Sequence, residues 1–345
     1  MKAVFIREHG GPEKLLYEDL PDPVAGPGEV LVRTEAVALN HLDLWIRGGI
    51  PGIRVKFPHI LGADIAGVVA ALGAGVTGVA VGDEVVVSPG VSCMRCVHCL
   101  SGRDNFCRDY HLLGEHVSGG CCELLAVPAA NIVARPANLS AVEAAAYPVT
   151  YLTAWQMLAK RANVRPGEFV VILGVGAGVG IAGLQIAKLL GAHVVATSTS
   201  DDKLARARSL GADATINTDK QDLADAVRAM TGKRGADVIF DHIGKSLWSK
   251  AILATSRGGR LVTCGATSGF DAETDLRHVF FRQISILGST MGSKGDLLDV
   301  TAHLAAGRLK PVIDRVLPIS QAREAHRLLA DRAQFGKIVL DTLTP

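Results

Sequence analysis

The run Phe169-Val170-Val171-Ile172-Leu173, followed by Gly174, Gly176, Gly178 and Gly180, constrains this chain more than any other stretch. Five consecutive apolar residues, three of them β-branched, predict a strand buried on both faces, and residues 181–190 then predict a helix. Backbone without side chains lets a pyrophosphate reach the first helical turn, where unpaired N–H groups and the positive end of the helix dipole meet it. The literal G-x-G-x-x-G string is absent, because Val179 stands where the third glycine would fall. The spacing is instead Gly174-x-x-Ala177-x-x-Gly180. Glycine-rich turns also occur where a strand packs tightly on a helix, so the turn alone leaves both readings open.

The segments beyond it favour the nucleotide reading. Strands are expected at 193–198, 214–216, 238–241, 261–264 and 284–287, with helices at 202–210, 222–230 and 247–256 between them. That alternation predicts a doubly wound parallel sheet. Upstream the pattern differs. Short strands at 30–33, 65–69 and 84–87, punctuated by Pro27-Gly28 and Gly82-Asp83, predict a β-rich domain over residues 1–140. Helices follow at 142–147 and 151–162, with Pro148 between them and Ser140/Glu143 as a capping box. The tail from Ser293 holds a helix, a strand at 312–317, a helix at 321–330 and a strand at 336–340. It is too short to stand alone and is expected to fold back onto the first domain. The expected division is therefore 1–140 with 293–345, and 141–292.

At 345 residues the chain has room for two domains with separate cores. Its net charge of +2 and its lack of like-charge runs argue against nucleic acid or an acidic membrane surface as partner, which leaves a small-molecule substrate. Only four apolar residues separate Lys2 from Arg7, too few for a signal-peptide core. The uncharged stretch 169–184 falls short of the roughly 18 residues a membrane span needs and is broken by glycine. A cytoplasmic protein is expected.

Four of the seven cysteines lie within 93–107, a concentration that points to metal rather than to a disulfide framework. Cys93-x2-Cys96-x2-Cys99-x7-Cys107 can wrap a tetrahedral zinc, and four sulfurs fill every position and leave none for water or substrate. One structural Zn2+ per subunit is expected. An iron–sulfur cluster shares the ligand chemistry but fits the spacing less well, and unliganded cysteines are the remaining alternative.

Four cysteines at this spacing ahead of a glycine-rich strand-turn-helix resemble the structural zinc lobe of the medium-chain zinc-type alcohol dehydrogenases. The resemblance extends over the chain. Residues 58–69, Gly82-Asp83-Glu84-Val85, Leu210-Gly211-Ala212-Asp213 and Gly258-Gly259-Arg260 fall where that superfamily carries similar runs. It implies an α/β protein with a GroES-like, β-rich catalytic domain joined to a Rossmann domain. In zinc-dependent members a catalytic zinc is held by a cysteine in a C-x-[ST]-D run, a histidine in a G-H-E run and a third ligand near the domain junction. Here Asn40 replaces the cysteine, Ala63 replaces the histidine, and Leu42 stands where the proton-relay hydroxyl belongs. Residues 144–155 contain no Cys, His or acid. No catalytic zinc is expected. His41 and His59 are nearby, and turn or surface roles are expected for both.

Without a Lewis acid, polarising a carbonyl falls to hydrogen-bond donors, which suits activated alkenes and quinones. The run from Asn40 to Gly49 is similar to the N-x-x-D-x-x-x-R-x-G run of the quinone oxidoreductase and enoyl reductase branch, and residues 147–155 also resemble that branch. The resemblance makes Asn40 a donor near nicotinamide or substrate, Asp43 an orienting group, and Tyr151 a proton donor or substrate contact. The alternatives are structural: an Asp43–Arg47 salt bridge, and Tyr151 as a packing aromatic. The substrate pocket is expected to draw on residues 40–53, 147–151, 264–267 and 289–292.

The strand-end position after the glycines, where NAD sites place an acid, is the neutral Ser198. Asp201 and Asp202 follow and are expected to cap the next helix. Ser198, Ser200 and Lys203 could accept a 2′-phosphate, which favours NADP(H), with NAD(H) as the alternative. The cofactor site is completed by the turn residues Gly174 to Gly180 and by Ile243, Gly265, Ala266, Ser289 and Thr290. The expected function is NADP(H)-dependent hydride transfer to an activated C=C bond or a quinone. Two alternatives stand: a zinc-type alcohol dehydrogenase or carbonyl reductase, and an NADP(H)-binding protein without turnover. A homodimer built on the strand at 284–289 is expected, with a homotetramer as the alternative.

Overall fold

The computed structural model describes residues 1–344 and divides into two compact units, Met1–Val149 together with the segment from Gly292, and Thr150–Met291. The first boundary falls later than residue 140. Ser140 caps the short helix Ala141–Ala145 in the expected box with Glu143, and that helix packs on strands Glu29–Ala38 and Asp64–Leu72 of the first unit. The helix expected at 151–162 begins earlier, as Pro148–Trp155, and its last part winds into a π-helical turn, Gln156–Arg161. Pro148 thus starts a helix, a position where its missing N–H costs nothing.

The first unit is organised by strand Glu29–Ala38. It pairs antiparallel with Asp64–Leu72, Leu124–Pro128 and Lys337–Asp341, so the tail returns to the middle of the sheet. The sheet runs in the order Ile132–Ala134, Glu84–Val87, Asp64–Leu72, Glu29–Ala38, Lys337–Asp341, Ile313–Pro318, with Leu124–Pro128 paired off this path. Alternate residues such as Val30 and Val32 face a buried core shared with Ile65, Val85, Val127 and Ile338. A second sheet, Leu16–Asp19, Lys2–Ile6, His59–Ile60, covers part of that core.

One register decides where the polar residues meet. Ala38 pairs with Asp64 on one side and Val339 on the other, and Leu39 N–H donates to the Ile338 carbonyl. Continued by two residues, that antiparallel register sets Asn40 opposite Lys337, with Asp64 beside both.

The second unit is a six-stranded, wholly parallel sheet in the order Ala214–Asn217, His193–Ser198, Phe169–Ile172, Ala236–Asp241, Thr255–Thr263, Ser285–Gly288. This is the doubly wound order, whose direction reverses between Phe169–Ile172 and Ala236–Asp241. The glycine turn leaves the carboxyl end of the first of these strands, at the point of reversal. Among the described residues no helix is long and apolar enough to cross a membrane.

Candidate functional site

In the zinc lobe the four sulfurs of Cys93, Cys96, Cys99 and Cys107 all lie within 4.8 Å of one another. Cys96 and Cys99 Sγ are 3.5 Å apart, and Cys93 and Cys99 Sγ 3.9 Å. Thiolates roughly 2.3 Å from a tetrahedral zinc stand about 3.8 Å from each other, so the cluster is of the size that ion needs. None of these cysteines is in a disulfide. The lobe is tied down by Asp104, which accepts from Lys294 N–H at 2.9 Å and from its ammonium at 3.4 Å.

The positions that match the family's catalytic-metal ligands form a different arrangement. Lys337 Nζ donates to Asn40 Oδ1 at 2.7 Å and to Asp64 Oδ2 at 2.8 Å. Asn40 Nδ2 donates to the same Asp64 oxygen at 2.8 Å and, at 3.5 Å, to the Ala38 carbonyl. Asp64 Oδ1 accepts from Val149 N–H. Asp43 sits beneath, taking Asn40 N–H on one oxygen and Gly62 N–H on the other. Burial pushes the Asp43 carboxyl up to about 6, against the opposing pull of those two N–H groups and of Lys337. Lys337 is 4% exposed and Asp64 fully buried. An ammonium therefore lies between the Asn40 and Asp64 side chains. Ala63 offers no donor atom and Asn40 no thiolate, so the donor set does not fit a catalytic zinc.

Several expected roles change. The amide hydrogens of Asn40 point at Asp64 and Ala38, so Asn40 fixes neighbours rather than donating outward. Asp43 makes no ion pair with Arg47. The Arg47 guanidinium is instead buried against His326, with Nη1 3.1 Å from Nδ1, and donates to the Gly10 carbonyl. Tyr151 is 2% exposed, and its hydroxyl accepts from Gln185 at 3.0 Å. Burial raises its pKa far above the usual phenol value, so the hydroxyl stays protonated, and the ring packs as a buried aromatic. His59 is buried and bonded to the Gly114 carbonyl rather than a surface residue. His41 lies edge-on to Trp45 on the same helix.

The His326 contact has a consequence for acid stability. Because a guanidinium only donates, His326 Nδ1 must be unprotonated. Burial and the Arg47 charge hold the ring down to about 3. A histidine depressed in the folded state gives stability that is complete above its unfolded pKa and is lost as pH falls below it. Between pH 6.5 and 5 this should cost about 2 kcal/mol, from 1.36 kcal/mol per pH unit. The expected result is a steeper fall in Tm over that range for the native protein than for His326→Gln, which keeps an acceptor but does not titrate; equal slopes would refute it.

In the second unit the helix Gly178–Leu189 begins at Ala177 with no side-chain cap, which leaves its first N–H groups directed outward. Gly174 has φ +66°. A Cβ on Gly180 would lie 2.5 Å from the Gly174 carbonyl oxygen, and one on Gly176 would lie 2.8 Å from Lys203 Cδ. The Lys203 stem therefore covers the turn. Thr197 Oγ1, at the strand end, accepts from Gly174 N–H. Ser198 Oγ accepts from Ser200 N–H, and Ser200 caps the helix Asp201–Ser209 by accepting from Lys203 N–H. Asp201 and Asp202 fall in the first turn of that helix, where Asp201 accepts from Asn217 and Lys220.

At the other side of the turn, Ile243 and His242 approach Gly174. His242 Nε2 is 3.2 Å from the Gly174 carbonyl. A Cβ on Gly265 would lie 3.2 Å from the His242 carbonyl oxygen, and Ser268 bonds back to Ile243 beyond Ala266. Two atoms at strand ends, Asp241 Oδ2 and Ser289 Oγ, are buried without a partner among the described residues; Thr290 follows Ser289. An open helix N-terminus, a turn that side chains would fill and orphaned polar atoms fit a dinucleotide.

Lys337 is the residue that the sequence reading missed. Its one signal was a lysine opening the apolar run Ile338-Val339-Leu340, in a strand otherwise buried.

Residues 26–137 match the family described as alcohol dehydrogenase GroES-like domain, and residues 178–306 match zinc-binding dehydrogenase. The NAD-dependent alcohol dehydrogenase of Sulfolobus acidocaldarius is 32% identical, over 98% of this chain and 97% of its own. A crystal structure of an NAD-dependent alcohol dehydrogenase superposes with a TM-score of 0.96 at 51% identity, covering 99% of this chain and 100% of that one. A crotonyl-CoA carboxylase/reductase does so with a TM-score of 0.92 at 29% identity, covering 99% and 87%. With a four-cysteine lobe, a GroES-like sheet and a Rossmann unit each in place, the chain belongs to the medium-chain dehydrogenase/reductase superfamily and is an oxidoreductase of that type.

Proposed function

We propose that this protein transfers hydride from NADPH to an activated C=C bond or a quinone without a catalytic zinc. One observation carries the reading: the family's metal-ligand positions are taken by Asn40 and Ala63, and the Asp64 carboxylate is already neutralised by Lys337. The nicotinamide supplies the hydride. The protein's residues orient both reactants and stabilise the charge that develops on the acceptor. Asn40 and Asp43 serve as positioning residues, since each spends its hydrogen bonds inside the cluster. Cys93, Cys96, Cys99 and Cys107 hold one structural zinc.

The preference for NADPH rests on Lys203, whose stem lies over Gly176, and on the neutral Ser198 and Ser200. Relatives named NAD-dependent favour NADH, and their alcohol dehydrogenase names favour the dehydrogenase alternative. A homodimer belongs to the same reading. Strand Ser285–Gly288 ends the sheet with one unpaired edge, and Leu276 and Phe280 stand exposed on the helix before it.

The test measures oxidation of NADPH and of NADH on quinones, enones and aldehydes, with metal content in the same preparation. One zinc per subunit with enone or quinone turnover is expected. Lys203→Ala should raise KM for NADPH about tenfold and leave NADH unchanged, since a charge-assisted bond is worth about 1.5 kcal/mol or more. Two zincs with alcohol oxidation would establish the dehydrogenase alternative. NADPH binding without turnover would establish a binding protein.

A further inference from the structure

We propose that His242 and Thr197 are positioning residues for the cofactor, a two-sided clamp that fixes Gly174 and, through it, the turn that receives the pyrophosphate. The inference rests on the dinucleotide reading of this turn and does not depend on which acceptor takes the hydride. Every residue it uses belongs to the second unit.

Gly174 is the pivot of the turn. It follows strand Phe169–Ile172 at φ +66°, a left-handed conformation, and glycine is the residue whose backbone is freest to leave it. In this chain both its N–H and its carbonyl are held by side chains from the two neighbouring strands. On one side Thr197 Oγ1 accepts Gly174 N–H at 3.2 Å, and the Thr197 carbonyl accepts Val175 N–H at 2.9 Å. On the other side, just past the end of strand Ala236–Asp241, His242 Nε2 lies 3.2 Å from the Gly174 carbonyl oxygen. A carbonyl only accepts, so Nε2 carries the hydrogen. Burial lowers the pKa of the ring below the usual histidine value, so the donor is a neutral imidazole.

The clamp is itself anchored. Thr197 and His242 are both buried. Asp241 Oδ1 accepts Ile243 N–H at 2.8 Å and Gly244 N–H at 3.1 Å, which fixes the bend that carries His242, and Thr267 Oγ1 donates to the His242 carbonyl. The Gly174 carbonyl also takes Ala177 N–H at 3.2 Å and packs on Gly180, so its position sets where the helix Gly178–Leu189 begins. Gly178 and Val179 are partly exposed, and their N–H groups precede the first intrahelical bond, Ile181 N–H to the Ala177 carbonyl. Holding Gly174 aims those N–H groups at one place before a phosphate arrives, and a site ordered in advance loses less freedom on binding.

His242→Leu removes the donor while Gly174 keeps Ala177 as a partner, so the variant is expected to fold with a Tm within a few degrees of native. Isothermal titration should show Kd for NADPH and for NADH raised by the same factor, about five- to tenfold, the size of one neutral hydrogen bond. ADP, which carries a pyrophosphate, should weaken equally in competition, whereas adenosine, which carries none, should keep its native affinity. His242→Gln, which restores an N–H, should bring ADP and both dinucleotides back towards native affinity. Native affinity of His242→Leu for ADP would overturn the inference. An equal loss for adenosine would overturn it too, since that marks a general loosening of the site rather than a displaced turn. Should His242→Leu fail to fold, Thr197→Val removes the acceptor on the other side at nearly constant shape, with Thr197→Ser as its rescue, and is read the same way.

The functional reading fails separately. Native protein that binds ADP and both dinucleotides but reduces neither enones nor quinones refutes the proposed reaction, yet the same titrations still decide the clamp. Native protein that binds none of the three refutes both.

Discussion

Cys99→Ser is expected to purify with less than about 0.2 zinc per subunit, against about one for the native protein. Losing a ligand thiolate should weaken the site by more than the 10- to 100-fold that follows loss of an outer-shell partner. The loop from Cys93 to Cys107 has little else to order it. Its regular structure is one four-residue helix, Val97–Leu100, and one 3-10 turn, Asp104–Phe106. Val97 and Leu100 are 70% and 76% exposed, and Met94 and Phe106 are about half exposed, so no apolar core forms within it. In such a segment metal binding and folding are one event. Opening should be local, because the sheet core of the first unit contains no lobe residue. Limited proteolysis should therefore cut Cys99→Ser within 93–107 and leave the remainder resistant. Asp104 rides on the same loop and holds both the backbone and the ammonium of Lys294, so the start of the helix Lys294–Ala305 should loosen with it. Full zinc content in the variant would show that the four sulfurs are not the binding site.

The sequence made the two units visible for different reasons. In the Rossmann unit the central strands Phe169–Ile172, His193–Ser198 and Ala236–Asp241 are short, largely apolar runs buried on both faces, so 193–198 and 238–241 lie within one or two residues of the observed strands. Local signals sufficed there because each of these strands is recognised from its own apolar run, whichever strand it pairs with. The cysteine cluster was equally legible, since its four ligands come from one loop. The cluster around Asp64 was legible only in part. The substitutions Asn40 and Ala63 ruled out a metal ligand set, but what stands in its place depends on Lys337, which is 297 residues from Asn40 along the chain. That meeting is produced by a strand register, and register is set by long-range pairing that no local pattern records. The same limit explains Tyr151 and Arg47. Each was read beside its neighbours in sequence, whereas their partners are Gln185 and His326.

Gly180→Val is expected to lose at least about a hundredfold in cofactor affinity and about 1–3 kcal/mol in stability, the usual range for forcing extra carbon into a packed site. A Cβ there would stand 2.5 Å from the Gly174 carbonyl oxygen and 3.0 Å from Val175 Cα. Both obstacles are backbone, so the turn itself must move. That carbonyl also lies 3.2 Å from His242 Nε2, so moving it disturbs the strand end on the far side of the turn. The first N–H groups of the helix would then no longer face a bound phosphate at hydrogen-bonding distance. Gly176→Ala isolates the ligand from the packing. Its new methyl would meet the Lys203 side chain, 2.8 Å from Cδ and 3.5 Å from Cε and Nζ, on a flexible stem that can swing away. The variant should fold with native Tm, and its KM for NADPH should rise by more than its KM for NADH because the ammonium is displaced. Isothermal titration with both nucleotides, alongside thermal melts, separates the causes. If the glycines serve only to let strand and helix pack closely, Gly180→Val lowers Tm and Gly176→Ala changes no binding constant. If they form a phosphate cradle covered by Lys203, Gly176→Ala changes the preference between the two nucleotides with the fold intact.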